Sequence, residues 1–283
     1  MRTQFGEQLR YQDRVSTKPA TLPVHVRALR QHVRLGMDIT EEDPTLLDYL
    51  REATQAVEQD SGRALVCQTR KLYLDQFPSL SPNTSTGPAA DIELRGCPVI
   101  GVDSIAYTDD AGAVQTWSAA SYQVNAADEP ARVRYVWGGY YPSARQQEKS
   151  ICVTYKAGYV IPFSVVASTN VLTLRGITPT NGDVYRVSNS GGDLPTGLET
   201  GADYHVIDAS GATCKLSLSA GGAAVDITSA GLGLQFLGEL NPLATMAIYL
   251  RVAMSYADRE GAEYDQCFRG YWSKIYGLRY EGA

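Results

Sequence analysis

The sequence has few of the residues and none of the motifs that catalysis commonly uses. It contains three histidines, His25, His32 and His205, and it lacks a G-x-S-x-G nucleophile motif, an H-E-x-x-H metal motif and a P-loop. On a helix, His25 and His32 would be two turns apart, about 10 Å, which is too far for them to share one metal ion. We therefore expect no enzymatic activity, no catalytic residues, no cofactor and no metal site.

Basic charge and long apolar stretches are also scarce. The net charge is −6 and the isoelectric point is near 5.2, whereas a protein that grips nucleic acid needs clustered Lys and Arg. No stretch approaches the roughly 20 apolar residues of a membrane span, and residues 1–14 lack the apolar core of a signal peptide. The five cysteines include no C-x-x-C pair. We expect reduced, buried cysteines and a chain that is neither exported by a signal peptide nor embedded in a membrane.

The sequence does contain enough regularly spaced apolar residues to build a core. Hydrophobic residues make up 44% of the chain and charged residues 20%, as in ordinary globular proteins. Pro23 opens a short helix, and a second helix begins with Asp43 as N-cap and Pro44 as first helical residue, and ends at Gly62. The three- and four-residue spacing in this second helix predicts one buried stripe: Leu46, Leu50, Ala53 and Val57.

After Ala64 the apolar spacing changes to two, which predicts antiparallel strands. We expect a hairpin turn at residues 109–112. The last strand of this set runs into a turn at Gly158 and Tyr159, and the proline that follows should lead into a helix. The expected strands are 65–74, 92–94, 102–107, 114–117, 122–124, 133–136 and 151–155.

Residues 163–239 differ in texture from the rest of the chain. They hold twelve of the 26 glycines and only ten charged residues. Short β-prone segments alternate with turns, which predicts a small β-sandwich or barrel, with strands at 171–174, 184–187, 204–207, 214–218, 225–227 and 234–237. A helical pattern resumes at Asn241, and a last helical segment runs from Tyr264 to Tyr276 and closes at Gly277. The first of these helices has an apolar side: Leu243, Met246, Leu250, Ala253, Met254 and Ala257.

These patterns predict an α+β protein, in which a helical host domain with a small antiparallel β-sheet carries an inserted all-β domain that is sandwich or barrel-like. The parts are a flexible N-terminal arm at 1–22, a discontinuous domain made of 23–162 plus 240–283, and the insertion at 163–239. An insertion of this size is tolerated when both of its ends leave the host at one exposed turn.

Two groups of aromatic residues are candidate interaction sites. Trp137, Tyr140 and Tyr141 surround a Gly-Gly pair and could stack on bases or sugars, although burial against a neighbouring subunit is the favoured interpretation. The second group lies near the end of the chain at helical spacing, and it either packs on its own domain or binds a partner. Its members are Phe268, Tyr271, Trp272, Ile275, Tyr276, Leu278 and Tyr280.

Several short segments follow one another in a characteristic order: SGRAL at 61–65, LYLDQFP at 72–78, IEL at 92–94, VDSIAY at 102–107, YQV at 122–124 and VTYKAGY at 153–159. In this order they resemble the phage head-tail connector, or neck adaptor, proteins. The resemblance covers about residues 23–162 and resumes at 241, and the insertion departs from the usual pattern of that family. Residues 163–239 themselves resemble a β-module of phage structural proteins.

The resemblance implies a structural protein of the virion neck, assembled in the host cytoplasm. Such an adaptor forms a dodecameric ring beneath the portal protein, a stopper or tail-completion protein docks below it, and DNA passes through the centre without specific binding. The resemblance also implies that the C-terminal aromatic group contacts the portal. It implies no catalytic residues.

Two other classes of function stay open at this point. A carbohydrate-binding or adhesion-type phage structural protein would use the inserted β-domain and its tyrosines. A hydrolase would require a deep pocket with convergent acidic residues, which the sequence does not indicate.

Overall fold

The computed structural model describes residues 12–78, 91–257 and 265–279, with side chains from residue 268 onward in the last range. Across these ranges the chain forms fifteen β-strands and four α-helices, and the strands make three sheets. Contacts between residues divide the described chain into two compact units. The first unit contains Gln68–Ala157 together with the residues before Pro19, and the second contains Pro19–Cys67 together with the residues after Ala157.

The first unit is all β, and all of its strand pairs are antiparallel. A five-stranded sheet has the order β1-β2-β8-β4-β5, and a three-stranded sheet has the order β3-β7-β6. The strands are β1 Gln12–Thr17, β2 Gln68–Leu74, β3 Ile92–Leu94, β4 Val99–Thr108, β5 Val114–Trp117, β6 Tyr122–Asn125, β7 Ala131–Tyr135 and β8 Ile151–Ala157. The hairpin turn predicted at 109–112 is confirmed, since the Gly112 N–H donates to the Asp109 carbonyl at 2.9 Å.

Strand β8 shows why this sequence forms the centre of a sheet. Its alternate residues Ile151, Val153, Tyr155 and Ala157 are fully buried, while the residues between them are partly exposed. An alternation of this kind lines one face of a strand with apolar side chains. Strand β8 therefore carries much of the core of the first unit.

A buried ionic network holds the edge strand β1 on this sheet. Arg70 in β2 donates two hydrogen bonds to Asp13 in β1, at 2.6 and 3.0 Å. The Tyr155 hydroxyl lies 3.0 Å from Asp13 and also contacts the Arg95 carbonyl. Burial and the Asp13 carboxylate raise the pKa of Tyr155, so the hydroxyl keeps its proton and can donate it. Thus β1, which lies in the predicted flexible arm at 1–22, is an anchored strand.

The second unit contains all four helices and the other seven strands. The helices are α1 Val26–His32, α2 Asp43–Ser61, α3 Pro242–Ala257 and α4 Asp265–Leu278. The strands are β9 Ile161–Val166, β10 Val171–Leu174, β11 Val184–Tyr185, β12 Val187–Ser190, β13 Tyr204–Ser210, β14 Thr213–Ser217 and β15 Leu234–Leu237. They form one sheet with the order β11-β13-β14-β10-β9-β15-β12. Because only Arg186 separates the two edge strands, the sheet is a nearly closed barrel.

The predicted fold class is wrong. The described chain is mostly β, and it is not a helical host domain with a separate inserted β-domain. Strand β9 crosses the expected insertion boundary at residue 163, and it pairs with both β10 and β15. Residues Tyr159 and Leu240 pack both against the helical core and against a small cluster of Val66, Val160 and the barrel residue Phe236. The boundaries 1–22, 23–162 plus 240–283 and 163–239 stay predictions about independent folding.

The helical core confirms one predicted stripe and corrects another. All four residues predicted on α2 are fully buried. On α3 the buried residues are Ala244, Ala247, Ile248, Val252 and Met254, whereas the predicted Met246 is exposed. The predicted face was therefore rotated, since only Met254 of its six residues is among these buried ones.

Three local predictions are also wrong. The N-cap of α2 is Glu42, and the Asp43 carboxylate instead forms an ion pair with Arg30. Gly277 lies inside α4, which continues to Leu278. Residues 225–227 form no strand, although the Val225 N–H donates to the Leu216 carbonyl at 2.8 Å.

Two segments of the second unit meet where the chain leaves it and returns. The Cys67 N–H donates to the Val160 carbonyl at 2.8 Å, and the Tyr159 N–H donates to the Leu65 carbonyl at 3.1 Å. Between them Gly158 has a φ of 149°, and a Cβ atom there would lie 2.5 Å from the Cys67 nitrogen. Only glycine fits this position without moving the backbone.

We expect Gly158→Ala to lower the free energy of unfolding by about 2 kcal/mol or more, because the new methyl group would overlap backbone atoms that cannot move independently. Gly101→Ala is the control, since a Cβ atom there would meet no atom within 4 Å. Urea unfolding of both variants measures the difference. Equal unfolding midpoints for the two variants would show that the close approach at Gly158 carries no energetic weight.

Candidate functional site

An aromatic cluster in the first unit forms the base of the first candidate site. Tyr141 stacks on Phe77 with ring centroids 5.1 Å apart, and it meets Tyr135 edge-on at 5.2 Å. Trp117 lies 5.5 Å from Tyr141 and 5.0 Å from Tyr122. Edge and offset contacts at these distances are favourable beyond the area that they bury. The cluster therefore gives the adjoining loop a rigid support.

That loop presents two exposed aromatic side chains. The Gly139 N–H donates to the Val136 carbonyl at 2.8 Å, and Gly138 has a φ of 76°, the combination typical of a type II turn. Trp137 is at the tip and is 100% exposed, and Tyr140 is 82% exposed. Of the three predicted inter-subunit residues, these two are accessible to a partner, whereas Tyr141 packs in the aromatic cluster.

A cleft of about 700 Å³ lies beside the turn. Its lining includes Tyr140, Trp117 and two carboxylates, Asp109 and Asp110. Hydrogen bonds from the Gln115 side chain and the Ala113 N–H lower the pKa of Asp109, so this group is charged at neutral pH. The cleft combines negative charge with aromatic rings, and it suits a basic or amide-rich segment of a partner.

The second candidate site is the outer face of α4. Phe268, Trp272 and Tyr276 are four residues apart, with ring centroids 5.8 and 6.0 Å apart. The Arg279 guanidinium lies 5.7 Å from the Trp272 ring and 5.6 Å from the Tyr276 ring, within the range of cation–π attraction. We call these three rings the aromatic ladder. Phe268 is 37% exposed and Tyr276 is 67% exposed, so two of the rings are open to a partner.

The rest of the predicted portal-binding group faces the opposite way. Tyr271, Ile275 and Leu278 are buried in the helical core with α2 and α3. The Tyr271 hydroxyl donates to Asp60 at 2.7 Å, and burial, helped by that carboxylate, raises the pKa of Tyr271. Tyr280 lies outside the described residues. The group therefore divides into a core half and an exposed half, and only the exposed half is available for binding.

Local charge also distinguishes the aromatic ladder from the rest of the protein. Residues 268–279 include Arg269, Lys274 and Arg279 and no Asp or Glu, in a chain whose net charge is −6. A basic, aromatic helix segment on an acidic protein favours an acidic partner surface.

The histidines and cysteines have structural surroundings. The His25 Nδ1 accepts a hydrogen bond from the Arg27 N–H at the start of α1, and His32 stacks on Tyr249 at 4.7 Å. Burial lowers the pKa of both histidines. Burial also raises the pKa of the Cys214 thiol to about 11. In the part of the chain that the structure describes, no cluster of His, Cys, Asp and Glu could hold a metal ion, and no helix has the length and apolar character to span a membrane.

Comparisons with known proteins were made by sequence and by fold. No protein-family model matches the sequence, and no curated protein matches it. One solved structure of similar fold is a chain from the neck of an empty gene transfer agent (GTA) particle computed with C6 symmetry, at 18% identity and a TM-score of 0.54 over 95% of each chain. Another, from the virion of a native GTA particle, is 17% identical with a TM-score of 0.53 over 94% of each chain. The chain thus shares its fold with components of GTA particles.

Sequence reasoning found both aromatic groups but not their division between core and surface. Helical spacing placed five residues, from Phe268 to Tyr276, on one broad stripe that Leu278 and Tyr280 extend. This stripe is wider than either the buried or the exposed face of α4. The packing of α4 against α2 and α3 decides which of these residues face inward. The spacing of residues within one helix does not show how its neighbours are placed.

We expect Tyr271→Ala to lower the free energy of unfolding by about 3–5 kcal/mol, because it empties a fully buried ring position in the helical core. Tyr276→Ala on the same helix is the matched control and should change it by less than about 0.5 kcal/mol. Thermal unfolding of the two variants measures both values. If the two substitutions destabilise the protein equally, α4 does not pack on the core through its Tyr271 face.

Proposed function

We propose that this chain is a structural protein of the neck of a phage-like particle, a head-tail connector that lies between the portal and the stopper or tail-completion protein. The observation that carries the proposal is the fold likeness to the GTA neck chain, with a TM-score of 0.54 over 95% of both chains. This coverage leaves too few residues out to omit the whole of 163–239, which supports the inclusion of the barrel in the likeness. The proposed location is the virion neck, reached by assembly in the host cytoplasm, and the proposed role is structural rather than enzymatic.

In the proposed assembly the chain forms a dodecameric ring. The GTA neck was computed with C6 symmetry, and a dodecameric ring contains a six-fold axis, so the two are compatible. Trp137 and Tyr140 support ring formation, because large exposed aromatic side chains on a rigid turn are typical of interface anchors. Their place in the ring is the contact between neighbouring copies.

The other proposed partners are the portal and DNA. The aromatic ladder of α4 would dock on the portal through Phe268 and Tyr276, which are its exposed rings. DNA would pass through the centre of the ring without specific binding. The net charge of −6 supports this, because strong phosphate contacts would hold DNA in the channel.

The alternative carbohydrate-binding or adhesion function has less support. It would need exposed aromatic rings on residues 163–239 to stack on sugar rings. Phe163, Tyr204 and Phe236 are buried, and Tyr185 is half-buried. The described part of this segment therefore offers no exposed aromatic platform.

We expect the wild-type chain to be present in necks purified from particles, and Trp137→Ala to reduce its incorporation about thirty-fold. This corresponds to the loss of a hot-spot residue worth about 2 kcal/mol. Quantitative mass spectrometry of purified necks measures the incorporation. Absence of the wild-type chain from necks would overturn the proposed function.

Leu218→Ala is the control for this experiment. Leu218 is also exposed, but it lies in the barrel of the second unit, so its loss should leave incorporation unchanged. Trp137→Ala should also unfold at the wild-type temperature, because its side chain is fully exposed. If Trp137→Ala and the wild-type chain are incorporated equally, the turn at Trp137 takes no part in the contact between neighbouring copies.

For the portal contact, the double substitution Phe268→Ala and Tyr276→Ala should weaken binding to purified portal at least tenfold and leave the protein folded. Binding is measured by biolayer interferometry at two salt concentrations, which also tests whether the basic residues near the ladder contribute to binding. Higher salt should weaken the wild-type complex, because the helix segment that carries the ladder contains Arg269, Lys274 and Arg279 and no acidic residue. Unchanged affinity of the double variant would exclude the ladder as the portal site.

A further inference from the structure

One segment of the first unit carries no charge at all. From Ala111 to Ala127 the sequence is AGAVQTWSAASYQVNAA, bounded by Asp110 and Asp128. This segment forms the edge strands of two sheets: β5 at one end of the five-stranded sheet and β6 at one end of the three-stranded sheet. Edge strands of soluble proteins usually carry charges or other devices that prevent pairing with another chain.

The register shows which backbone groups of β5 point outward. The Asp109 N–H donates to the Ala113 carbonyl at 2.9 Å, so these residues form a hydrogen-bonded pair. Such pairs alternate along an antiparallel ladder. The pairs Thr108 with Val114 and Ala106 with Thr116 are therefore not hydrogen-bonded, and the N–H and C=O groups of Val114 and Thr116 point away from β4.

These outward groups of β5 are accessible and unprotected. Val114 is 76% exposed, and the side chains of Gln115 and Thr116 are also exposed. The pairing of β5 with β4 continues without a bulge, and β5 contains neither proline nor a charged residue. No other strand among the described residues pairs along this edge. The edge is thus a ready template for a further strand.

The opposite edge of the same sheet is β1, which has different chemistry. Its exposed residues include Arg14, and its pairing with β2 has an irregularity between Val15 and Thr17. The buried contact of Asp13 with Arg70 holds it in place. The sheet therefore has two unlike edges, one uncharged and one basic.

We propose that β5 of one copy pairs with β1 of the next copy, so that the five-stranded sheets join edge to edge around the ring; this inference rests on the proposed function. Pairing of two unlike edges is heterologous, and repeated heterologous contacts close into a ring when the rotation between copies permits it. Pairing of β5 with itself would be isologous and would end at a dimer.

The strand directions fix the sense of this pairing. The neighbours in the order β1-β2-β8-β4-β5 are all antiparallel, so β5 runs in the same direction as β1. A small rotation between successive copies keeps the two strands pointing the same way. In the joint, β5 of one copy and β1 of the next copy therefore form a parallel pair. The start of β1, with Arg14, comes beside the start of β5 in the next copy, where the turn carries Asp109 and Asp110. Opposite charges meet at this joint.

Crosslinking in assembled particles tests the pairing directly. The double variant Ser16→Cys and Val114→Cys places one thiol on each exposed edge and leaves Arg14 in place. Ser16 lies two residues after Arg14, and Val114 follows the turn that carries Asp109 and Asp110. A short bis-maleimide reagent should produce a ladder of covalent oligomers up to the full ring. The two single-cysteine variants, which control for the native cysteines, should give no ladder. If the double variant is incorporated into necks and yields no ladder, the pairing is overturned while the proposed function stands.

A proline substitution provides the second measurement. Thr116→Pro removes the outward N–H without breaking a bond to β4, and proline is tolerated at such edge positions. We expect its incorporation into necks to fall about tenfold relative to Thr116→Ala, which keeps the N–H.

The matched control lies on the other uncharged edge. The Val136 N–H donates to the Ser121 carbonyl, so by the same alternation the Val124 N–H points outward from β6. Val124→Pro should fold and be incorporated like wild type, and thermal unfolding should show equal midpoints for the two proline variants. If Thr116→Pro is incorporated into necks as well as the wild-type chain, the pairing is overturned. If neither the wild-type chain nor any variant is found in necks, the proposed function is overturned.

Discussion

The arrangement of the second unit depends on one close backbone crossing. Leu65 and Cys67 hydrogen-bond to Tyr159 and Val160, at the point where the chain leaves this unit and returns to it. Glycines permit the approach: a Cβ atom at Gly158 would meet the Cys67 nitrogen at 2.5 Å, and one at Gly238 would meet the Tyr159 carbonyl oxygen at 2.5 Å. Side chains larger than hydrogen would separate the two segments, and the hydrogen bonds between them would be lost.

Packing around this crossing explains why the helices and the barrel form one unit. Arg63, which follows α2, donates to the Leu278 carbonyl at the end of α4. Its guanidinium also lies 5.8 Å from the Tyr159 ring. Val66 and Val160 pack on Phe236 of the barrel, while Leu65 belongs to the helical core. Adjacent residues of one short segment thus point into two cores, and neither core would be complete without the crossing.

This sharing of residues marks what the sequence could and could not predict. The α2 stripe and most strands follow from local spacing, which needs only the residues of one element. The fold class failed because the sharing of Tyr159 and Leu240 between two cores is a long-range property. The orientation of α3 was predicted wrongly for a related reason: the side of this largely apolar helix that is buried depends on its packing with α2 and α4, which the spacing of one helix does not show. Asp43 matched an N-cap pattern, yet its partner is Arg30, thirteen residues earlier in the chain.

The candidate sites show the same division between local and long-range information. The turn at Trp137 was found because aromatic residues around Gly-Gly are visible locally, but its exposure depends on Tyr141, which turns inward to stack on Phe77. The exposed edge of β5 was missed because an uncharged stretch has no meaning until the sheet order places it at an edge.

The charge of the chain explains why uncharged strands suit the proposed contact between copies. Each copy carries a net charge of −6, and charges closer than about 8–10 Å are only partly screened at physiological salt. Paired strands lie about 5 Å apart, well inside this range, so carboxylates along the joint would repel. A joint made from β5 places uncharged residues at the shortest separation and keeps the carboxylates of Asp109 and Asp110 for the basic residue Arg14. Backbone pairing then supplies the contact in the proposed ring, and the uncharged strand keeps the repulsion between neighbouring copies low.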